Sequence, residues 1–537
     1  MWSLFQRNAR QAKPARRIPL SIRPRLEALE DRCLLSAPGT LDTSFGSGGI
    51  ASTTFSGTTY ADYPTPLIES NGQIVTAGLL GTSRGAEIGL ARFNSNGTLD
   101  KTFGQKGQVA SLRGIVDSEY YTAAALEGDG KIIVAATAKA GSQGNAQQEF
   151  LLARYNTNGT LDTTFHGGSV ITSFNAPAGA GAHAIAVYPS TDPVNANKIV
   201  AAGEFDSTGI ASEFALVRYN PDGTPDTTFG TNGRVLTQIG TEDNIWGVAL
   251  QPDGKIVAAG FSENRTAGTP FAIALTRYNT DGSLDTSFGN GGVVLTQVGG
   301  SSWAYGVVIE PDGAIAVDGY GTLNGVKHYA LAQYTSSGAL DSTFGTGGIV
   351  TTVINPSNNE VAQSLALQSN GKLVAVGNAG LVRYNTDGSL DTTFNGTGVV
   401  PRGWDSMAIQ PWDGKIVTAA GNGSSFTVGR YWGDAPVPVI GSFTANPNPV
   451  TSGSNVTLTA SNITDGNPNS TITQVTFYYY DSNGNKVILG YGTEDSSGDW
   501  SLTFAVNLAS GTYTFFAQAQ DNYGALSEPD ALTLTVQ

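Results

Sequence analysis

The hydrophobic pattern of this chain is a series of short apolar segments separated by turns. The clearest copy has four segments: GRVLTQI (233–239), IWGVALQ (245–251), KIVAAGF (255–261) and FAIALTRY (271–278). The third is a nearly continuous run of Ile, Val and Ala, which predicts a strand buried on both faces. A four-stranded sheet with two apolar faces must stack against neighbours, so the pattern predicts an array of β-sheet units.

Turn signals and a fixed motif separate the apolar segments. Asp253-Gly254 lies between the second and third segments, and Asp-Gly and Asn-Gly favour tight hairpin turns. The fourth segment runs into a motif seen best as RYNTDGSLDTTF at 383–394, which returns with a mean period of about 58 residues. Its conserved positions within the chain are Phe45, Phe103, Phe165, Phe229, Phe288, Phe344 and Phe394; Asp42, Asp100, Asp162, Asp226, Asp285, Asp341 and Asp391; and Arg92, Arg154, Arg218, Arg277, Arg383 and Arg430.

The two ends of the array carry complementary halves of the motif. Residues 39–46 hold only its second half, and residues 428–431 hold only its first half. Each end therefore supplies what the other lacks, which indicates a ring closed by the N-terminal segment. The sequence predicts an all-β fold with a seven-bladed β-propeller of four-stranded blades over residues 38–434.

The motif residues are expected to be structural. Each phenylalanine is predicted to fill the core between adjacent blades. Three roles stay open for the aspartates: bonding of local backbone N–H groups in a turn, a buried ion pair with the motif arginine, or metal ligation. Asp341 keeps its place although Gln333 replaces the arginine, which favours the local turn. Asn385 to Gly388 lacks the spacing of an EF-hand loop, so no metal or other cofactor is expected, with calcium in another geometry as an alternative.

The recurring pattern RYN-x-DG-x-LD-x-TFG resembles the delta-60 repeat family of bacterial proteins. The resemblance covers about residues 39–434 and implies a β-propeller. It implies no particular activity.

Residues 435–537 lack the repeat and instead alternate apolar and polar positions, as in Val475/Phe477/Tyr479. Several such strands within about 100 residues predict an antiparallel, immunoglobulin-like sandwich. GTYTFFAQAQDNYGALS (511–527) resembles the late strands of PKD and bacterial immunoglobulin-like modules. That resemblance implies a spacer or an adhesion element on an exported protein.

Residues 1–37 differ from the rest in charge and are expected to be a disordered leader. Residues 1–35 carry eight Lys/Arg and three Asp/Glu and lack the apolar core of a standard secretion signal. RPRLEALEDRCLLSA resembles a leader found on surface or secreted proteins of planctomycete bacteria, which implies export to the cell surface or the extracellular space. The alternative is a basic tail on a cytosolic protein.

Composition excludes several classes of partner and site. The net charge is −15 and the leader is basic, so the remaining chain is acidic and does not favour nucleic acid. Cys33 is the only cysteine, so the body has neither an internal disulfide nor a cysteine metal site. No apolar run is long enough to predict a transmembrane span. A monomer is expected.

The candidate ligand site lies on the loops at one end of the predicted blades. Loops such as 111–121, 238–246 and 297–305 vary, whereas the turns at the other end are short and uniform. Varied loops on a rigid scaffold usually carry binding. The candidate ligand-binding residues are Tyr120, Tyr121, Trp246, Trp303, Tyr305, Trp404, Asp243, Glu360 and Asp405.

Aromatic rings beside carboxylates suit stacking on sugars or anchoring of a surface protein. The alternative is that these aromatics only fill the blade ends. The three histidines share no motif, and no nucleophile elbow, P-loop or HExxH motif occurs. The sequence therefore favours a non-catalytic, exported binding or adhesion protein. A carbohydrate-active enzyme, either a glycosidase or a polysaccharide lyase using rim carboxylates, is the alternative, and a structural spacer is a third hypothesis.

Overall fold

The computed structural model describes residues 37–537 except 118–121, 141–146, 175–177, 210, 266, 412, 435–437, 466–470, 482–485, 522–525 and 528. The predicted leader lies outside the described residues apart from Ala37. In the described part the regular elements are β-strands and one short 3-10 turn at His166–Gly168, with no α-helix. That part also contains no helix long and apolar enough to cross a membrane.

Strands β1–β28 make up the repeat region. Their bounds are β1 Ile50–Thr54, β2 Thr58–Ile68, β3 Ile74–Thr82, β4 Gly85–Phe93, β5 Gln108–Val116, β6 Ala123–Leu126, β7 Ile132–Ala140, β8 Gln147–Tyr155, β9 Ser169–Thr172, β10 Gly179–Val187, β11 Ile199–Asp206, β12 Ser212–Tyr219, β13 Arg234–Thr237, β14 Glu242–Leu250, β15 Ile256–Glu263, β16 Ala272–Tyr278, β17 Val293–Thr296, β18 Ser302–Ile309, β19 Ile315–Leu323, β20 Val326–Tyr334, β21 Ile349–Thr352, β22 Ala362–Leu367, β23 Leu373–Gly377, β24 Gly380–Tyr384, β25 Val399–Val400, β26 Ser406–Ile409, β27 Ile416–Asn422 and β28 Ser425–Tyr431.

The repeat region forms antiparallel sheets whose strands follow chain order. β10–β13, β14–β17, β18–β21 and β22–β25 are separate four-stranded sheets. β2–β9 form one eight-stranded sheet, because Val116 of β5 bridges to Ala138 of β7. The predicted repeat of four strands is confirmed, but the predicted grouping is wrong by one strand. Residues 234–237 (β13) pair with β12 of the preceding sheet, whereas β14–β16 form a sheet with β17. Two consecutive units also share one hydrogen-bonded sheet. The predicted blade count stays a prediction.

The first strand of the array completes the sheet of the last three. β1 pairs with β28 from Ile50↔Gly429 to Thr54↔Ser425, and the order of that sheet is β1-β28-β27-β26. The two ends of the array therefore meet in one sheet, as the complementary half motifs indicate.

Each motif aspartate holds its own turn, and six of the seven also pair with the motif arginine. One carboxylate oxygen of Asp226 accepts the backbone N–H and the hydroxyl of Thr228, at 3.1 and 2.7 Å. The other accepts Arg218 Nε at 2.8 Å. The same pattern recurs at Asp42, Asp100, Asp162 and Asp285. Asp391 holds its turn in the same way, but Arg383 approaches it through Nη2, at 2.7 Å. The local turn and the buried ion pair therefore exist together.

The motif arginine also binds the next unit. Arg92 Nη1 donates to Thr157 O at 2.6 Å, Arg154 Nη1 to Pro221 O at 2.6 Å and Arg430 Nη1 to Ser95 O at 2.6 Å. Each guanidinium lies over the motif phenylalanine of its own repeat, as Arg154 does over Phe165 at 4.6 Å. The repeat is thus held both within and between units.

The motif phenylalanines are fully buried, and a glycine of the neighbouring unit lies against each of them. A Cβ on Gly338 would lie 2.8 Å from the ring of Phe288, and Gly338 has φ +88°. The glycine is therefore required twice, by its backbone conformation and by the ring beside it.

The unit β18–β21 departs from this pattern. Gln333 stands where the others have arginine, and Ala314 stands where most have lysine or glutamine after the hairpin turn. Asp341 keeps its turn bonds to Thr343, at 2.9 and 2.7 Å, and is more exposed than its counterparts. The aspartate therefore needs no cation to hold the turn.

Residues 442–537 form two antiparallel sheets, β29-β30-β34-β33 and β32-β31-β35-β36. Their shared core includes Val475, Phe477, Trp500 and Phe515, so the alternating positions face inward as predicted. The bounds are β29 Ser442–Asn446, β30 Asn455–Ser461, β31 Ile472–Tyr480, β32 Lys486–Tyr491, β33 Thr493–Glu494, β34 Trp500–Ala505, β35 Gly511–Asp521 and β36 Asp530–Val536.

Candidate functional site

One cavity of about 170 Å³ takes its lining from every four-stranded group of the repeat region. We call it the shared cavity, and the strands that reach it, β2, β6, β10, β14, β18, β22 and β26, the lining strands. Its walls are Tyr63, Thr65, Thr122, Ala123, His183, Trp246, Tyr305, Gln363, Ser364, Asp405, Ser406 and Met407. Three of the predicted ligand-binding residues, Trp246, Tyr305 and Asp405, are brought together here.

β-Bulges aim the side chains into this cavity. The pairing of β10 with β11 jumps from Ala182 to Ala184, so His183 is the extra residue. The same jump leaves out Trp246 in β14, Tyr305 in β18 and Gln363 in β22, and β2 leaves out Tyr63 and Pro64. A bulge bends its strand and redirects the extra side chain. The bulge recurs from unit to unit, but the side chain at the bulge differs. A repeated backbone can therefore form an asymmetric site.

The residue after each bulge is small because neighbouring lining strands approach closely. A Cβ on Gly247 would lie 2.8 Å from Tyr305 O, and one on Gly306 would lie 2.8 Å from Leu365 N. The bulged residue and the small residue therefore form a pair, in which the first faces the cavity and the second touches the next unit.

Aromatic rings form a continuous series from the cavity toward the loops. His183 stacks on Trp246 at 4.5 Å, Trp246 meets Tyr305 at 5.4 Å, and Tyr305 meets Trp303 at 6.1 Å between ring centroids. Trp303 stacks on Phe261 at 4.1 Å. Trp303, also predicted as ligand-binding, is therefore part of an aromatic cluster next to the shared cavity.

A polar chain fixes the orientation of His183. Asn244 Nδ2 donates to Glu204 Oε2 at 2.6 Å, so Asn244 Oδ1 faces His183 Nδ1 at 2.9 Å. Ile245 O is the second acceptor near Nδ1, at 3.2 Å, so Nδ1 carries the proton. Burial lowers the pKa of His183 to about 4, and burial together with Asp206 raises the pKa of Glu204 to about 7. The imidazole is therefore neutral at physiological pH.

Two other polar groups of the cavity are buried or half-buried. Asp405 Oδ2 accepts Gly421 N–H at 2.8 Å, and burial together with the charge of Asp62 raises the pKa of Asp405. Thr122 is only 6% exposed, and its hydroxyl makes no hydrogen bond to any described residue. Buried hydroxyl groups normally have a hydrogen-bond partner.

Three predicted ligand-binding residues, Asp243, Glu360 and Trp404, instead make structural contacts within the fold. The carboxylate of Asp243, fully buried, accepts Ile239 N–H at 2.7 Å and Gly240 N–H at 2.9 Å. Glu360, also fully buried, accepts the N–H groups of Ile354 and Asn355. These acids fix their loops because the loop N–H groups have no strand partner.

Trp404 is 3% exposed, and its Nε1 donates to Tyr431 Oη at 3.0 Å. The corresponding tyrosines of other units bond instead to a threonine hydroxyl, as Tyr278 does, or to a serine hydroxyl, as Tyr155 does. Trp404 therefore fills the end of its sheet.

Tyr120 and Tyr121 lie outside the described residues. Sequence reasoning missed His183, Tyr63, Gln363 and Thr122, which the structure brings to the cavity. A signal exists, because a variable residue precedes a small one at the same strand position in six units: Thr122-Ala123, His183-Ala184, Trp246-Gly247, Tyr305-Gly306, Gln363-Ser364 and Asp405-Ser406.

Among the described residues, no group of three or more His, Cys, Asp or Glu side chains is arranged to hold a metal ion.

Six segments of the chain match a family described as Domain of unknown function (DUF5122) beta-propeller: residues 69–103, 127–165, 197–229, 251–288, 310–344 and 368–394. Residues 442–537 match a Bacterial Ig-like domain. The chain therefore contains β-propeller repeats and a C-terminal Ig-like domain, as the sequence predicts at this level. No curated protein sequence shows significant similarity to the chain.

Solved structures resemble the chain only distantly. PorZ, described as an essential bacterial surface component of the type-IX secretion system of Porphyromonas gingivalis, has 12% identity and TM-score 0.36 over 88% of this chain and 59% of its own, so the chain spans less than two thirds of it. Kuenenia stuttgartiensis hydrazine synthase has 12% identity and TM-score 0.38 over 87% and 68%. Chaetomium thermophilum Sqt1 has 13% identity and TM-score 0.37 over 76% and 94%.

Proposed function

We propose that this chain is an exported binding protein of the cell surface or extracellular space that holds a carbohydrate in the shared cavity, without catalysis. The observation that carries the proposal is the convergence of bulged residues of different chemistry on one cavity. A repeated scaffold that served only as a spacer would have no reason to vary these residues while keeping the bulge. Export is supported by the Ig-like domain and by the leader resemblance.

We also propose that strands β1–β28 form seven blades around one axis. It is supported by the lining of the cavity, to which each four-stranded group contributes its first strand, and by the pairing of β1 with β28. In a propeller the first strands of the blades surround the axis, so a ligand there touches several blades at once.

The cavity chemistry suits a sugar unit better than an apolar ligand. The rings of Trp246 and Tyr305 offer faces for stacking on the C–H groups of a pyranose. Asp405, Gln363 and Ser364 offer acceptors and donors for its hydroxyls. The volume of about 170 Å³ matches one sugar unit rather than a long segment, so we propose recognition of a terminal or protruding residue of a glycan.

A glycosidase or polysaccharide lyase is the second candidate. The observation that favours it is the mutual repulsion of Asp405 and Asp62, which raises the pKa of Asp405 beyond the effect of burial. A carboxyl group with a raised pKa is what general acid catalysis needs.

The experiment is a glycan array with the full-length chain, run with a parallel assay for reducing ends and unsaturated products. We expect binding that Trp246→Ala and Tyr305→Ala abolish, without product. Tyr480→Ala, an exposed tyrosine of the Ig-like domain, is the matched control and should bind as the parent does. Product formation that Asp405→Asn removes would establish the second candidate, and absence of both binding and product would overturn a carbohydrate function.

A further inference from the structure

Asp318 is an acid at a strand position where the other units carry a small apolar residue. It is fully buried in β19, opposite Gly306, the residue that follows the bulged Tyr305. The residues at the corresponding register position of the other units are Ala77, Ala135, Ala202, Ala259, Val376 and Ala419. The repeat fold therefore needs no polar group here, and the acid requires another explanation.

The carboxyl group of Asp318 lies where two lining strands meet. Gly306 N–H donates to Asp318 Oδ1 at 2.8 Å, while Oδ2 makes no hydrogen bond to any described residue. A Cβ on Gly306 would lie 2.5 Å from Oδ1 and 2.8 Å from Leu365 N, so the carboxyl is wedged beside the contact of β18 with β22. The side chain braces the bulge that aims Tyr305 into the shared cavity.

No cation faces this carboxyl from the strands packed around it. β22 carries no ionisable side chain, and β18 carries only one phenol. The phenols of Tyr329 on β20 and Tyr384 on β24 interact electrostatically with Asp318, and neither is a cation. Lys327 and His328 pair with positions four and three residues beyond Asp318 on β19, respectively. An ionised Asp318 is therefore uncompensated, and burial raises its pKa to about 7.

We propose that Asp318 is a proton-dependent positioning residue for the Tyr305 bulge, and that its ionisation loosens β18 from β22 and weakens ligand binding in the shared cavity. The neutral acid leaves the two strands in contact. The anion needs further hydrogen-bond donors, and water reaches it most readily by separating the strands from the cavity side. The consequence for ligand binding rests on the proposed function, whereas the loosening of the strands does not.

The test is hydrogen–deuterium exchange of the ligand-free, full-length chain between pH 5.5 and 8.5, corrected for the intrinsic exchange rate at each pH. We expect the protection factor of segment 303–309 to fall at least about tenfold as the pH rises across this range. A tenfold change corresponds to a difference of one unit between the pKa of Asp318 in the closed state and in the loosened state. Segment 123–126 is the internal control, because Ala135 takes the place of Asp318 there.

Asp318→Ala and Asp318→Asn should remove the step in segment 303–309 and leave segment 123–126 unchanged. The proposal is overturned if the two segments of the parent chain have the same pH profile, or if either variant keeps the step. Because no ligand is present, this result is independent of whether the glycan array finds a ligand. If it does find one, affinity of the parent for that glycan should fall above neutral pH and that of Asp318→Ala should not.

Discussion

Arg430 Nε lies 2.8 Å from Asp42 Oδ2, although 388 positions separate the two residues in the chain. Both side chains are buried. In the other five pairs the partners are eight positions apart, as in Arg218 and Asp226. The Arg–Asp contact that lies within a unit elsewhere therefore connects the two ends of the array at Arg430 and Asp42.

Asp42→Asn should destabilise the repeat region by about 3–5 kcal/mol, because it leaves the buried Arg430 without its anion. The measurement is the free energy of unfolding by denaturant. Asp341→Asn is the matched control, since Asp341 holds a similar turn without an arginine, and it should cost much less. Equal losses for the two variants would mean that the turn bonds, not the join, stabilise the array.

Phe288→Ala should cost about 3–5 kcal/mol, the usual range for emptying a buried aromatic site. Phe288 is fully buried and packs against Arg277 and Gly338. Leu295→Ala is the control, because Leu295 is 56% exposed. Thermal melts of the two variants should separate clearly, and a parental melt for Phe288→Ala would contradict the packing role.

Acid should unfold the repeat region between about pH 4 and pH 2. Burial raises the pKa of Asp100, Asp162 and Asp391, but hydrogen bonds from the neighbouring threonines and the adjacent Arg or Lys side chains outweigh it and bring each pKa to about 2. A folded-state pKa below the unfolded value gives stability that is present above about pH 4 and is lost as pH falls through the folded value.

Circular dichroism melts from pH 6 to pH 2 would follow this loss. Arg218→Gln, which copies the natural Gln333, should move the start of the loss to higher pH, because Asp226 then lacks one cation. An unchanged acid transition would show that the ion pairs do not govern acid stability.

Asp318→Ala should stabilise the chain at pH 8 by several kcal/mol and much less at pH 4. The folded-state pKa of Asp318, about 7, lies above the unfolded value near 3.8, so the parent loses stability as pH rises between those values. Denaturant unfolding of parent and variant at the two pH values checks the sign. Ala259→Val, at the equivalent position, is a control whose effect should not depend on pH.

The sequence predicted the repeat and its strands because these depend on local pattern: the hairpin Asp-Gly turns and the alternating and continuous apolar runs constrain neighbouring residues directly. It predicted the meeting of the distant ends because the two half motifs are complementary. For the same reason the core strands of the Ig-like domain, such as that of Val475 and Phe477, could be read from alternation alone.

The candidate site depended on the tertiary structure. A bulge shifts one residue out of the strand register, and neither that shift nor the contact between lining strands is visible in period-two alternation. Asp243 and Asp405 cannot be distinguished by their sequence pattern. In the structure, Asp243 accepts the N–H groups of its loop, whereas Asp405 faces the cavity. Which acids and aromatics converge was decided by separate strands meeting in space, because each strand contributes only one to three of the lining residues, from distant parts of the chain.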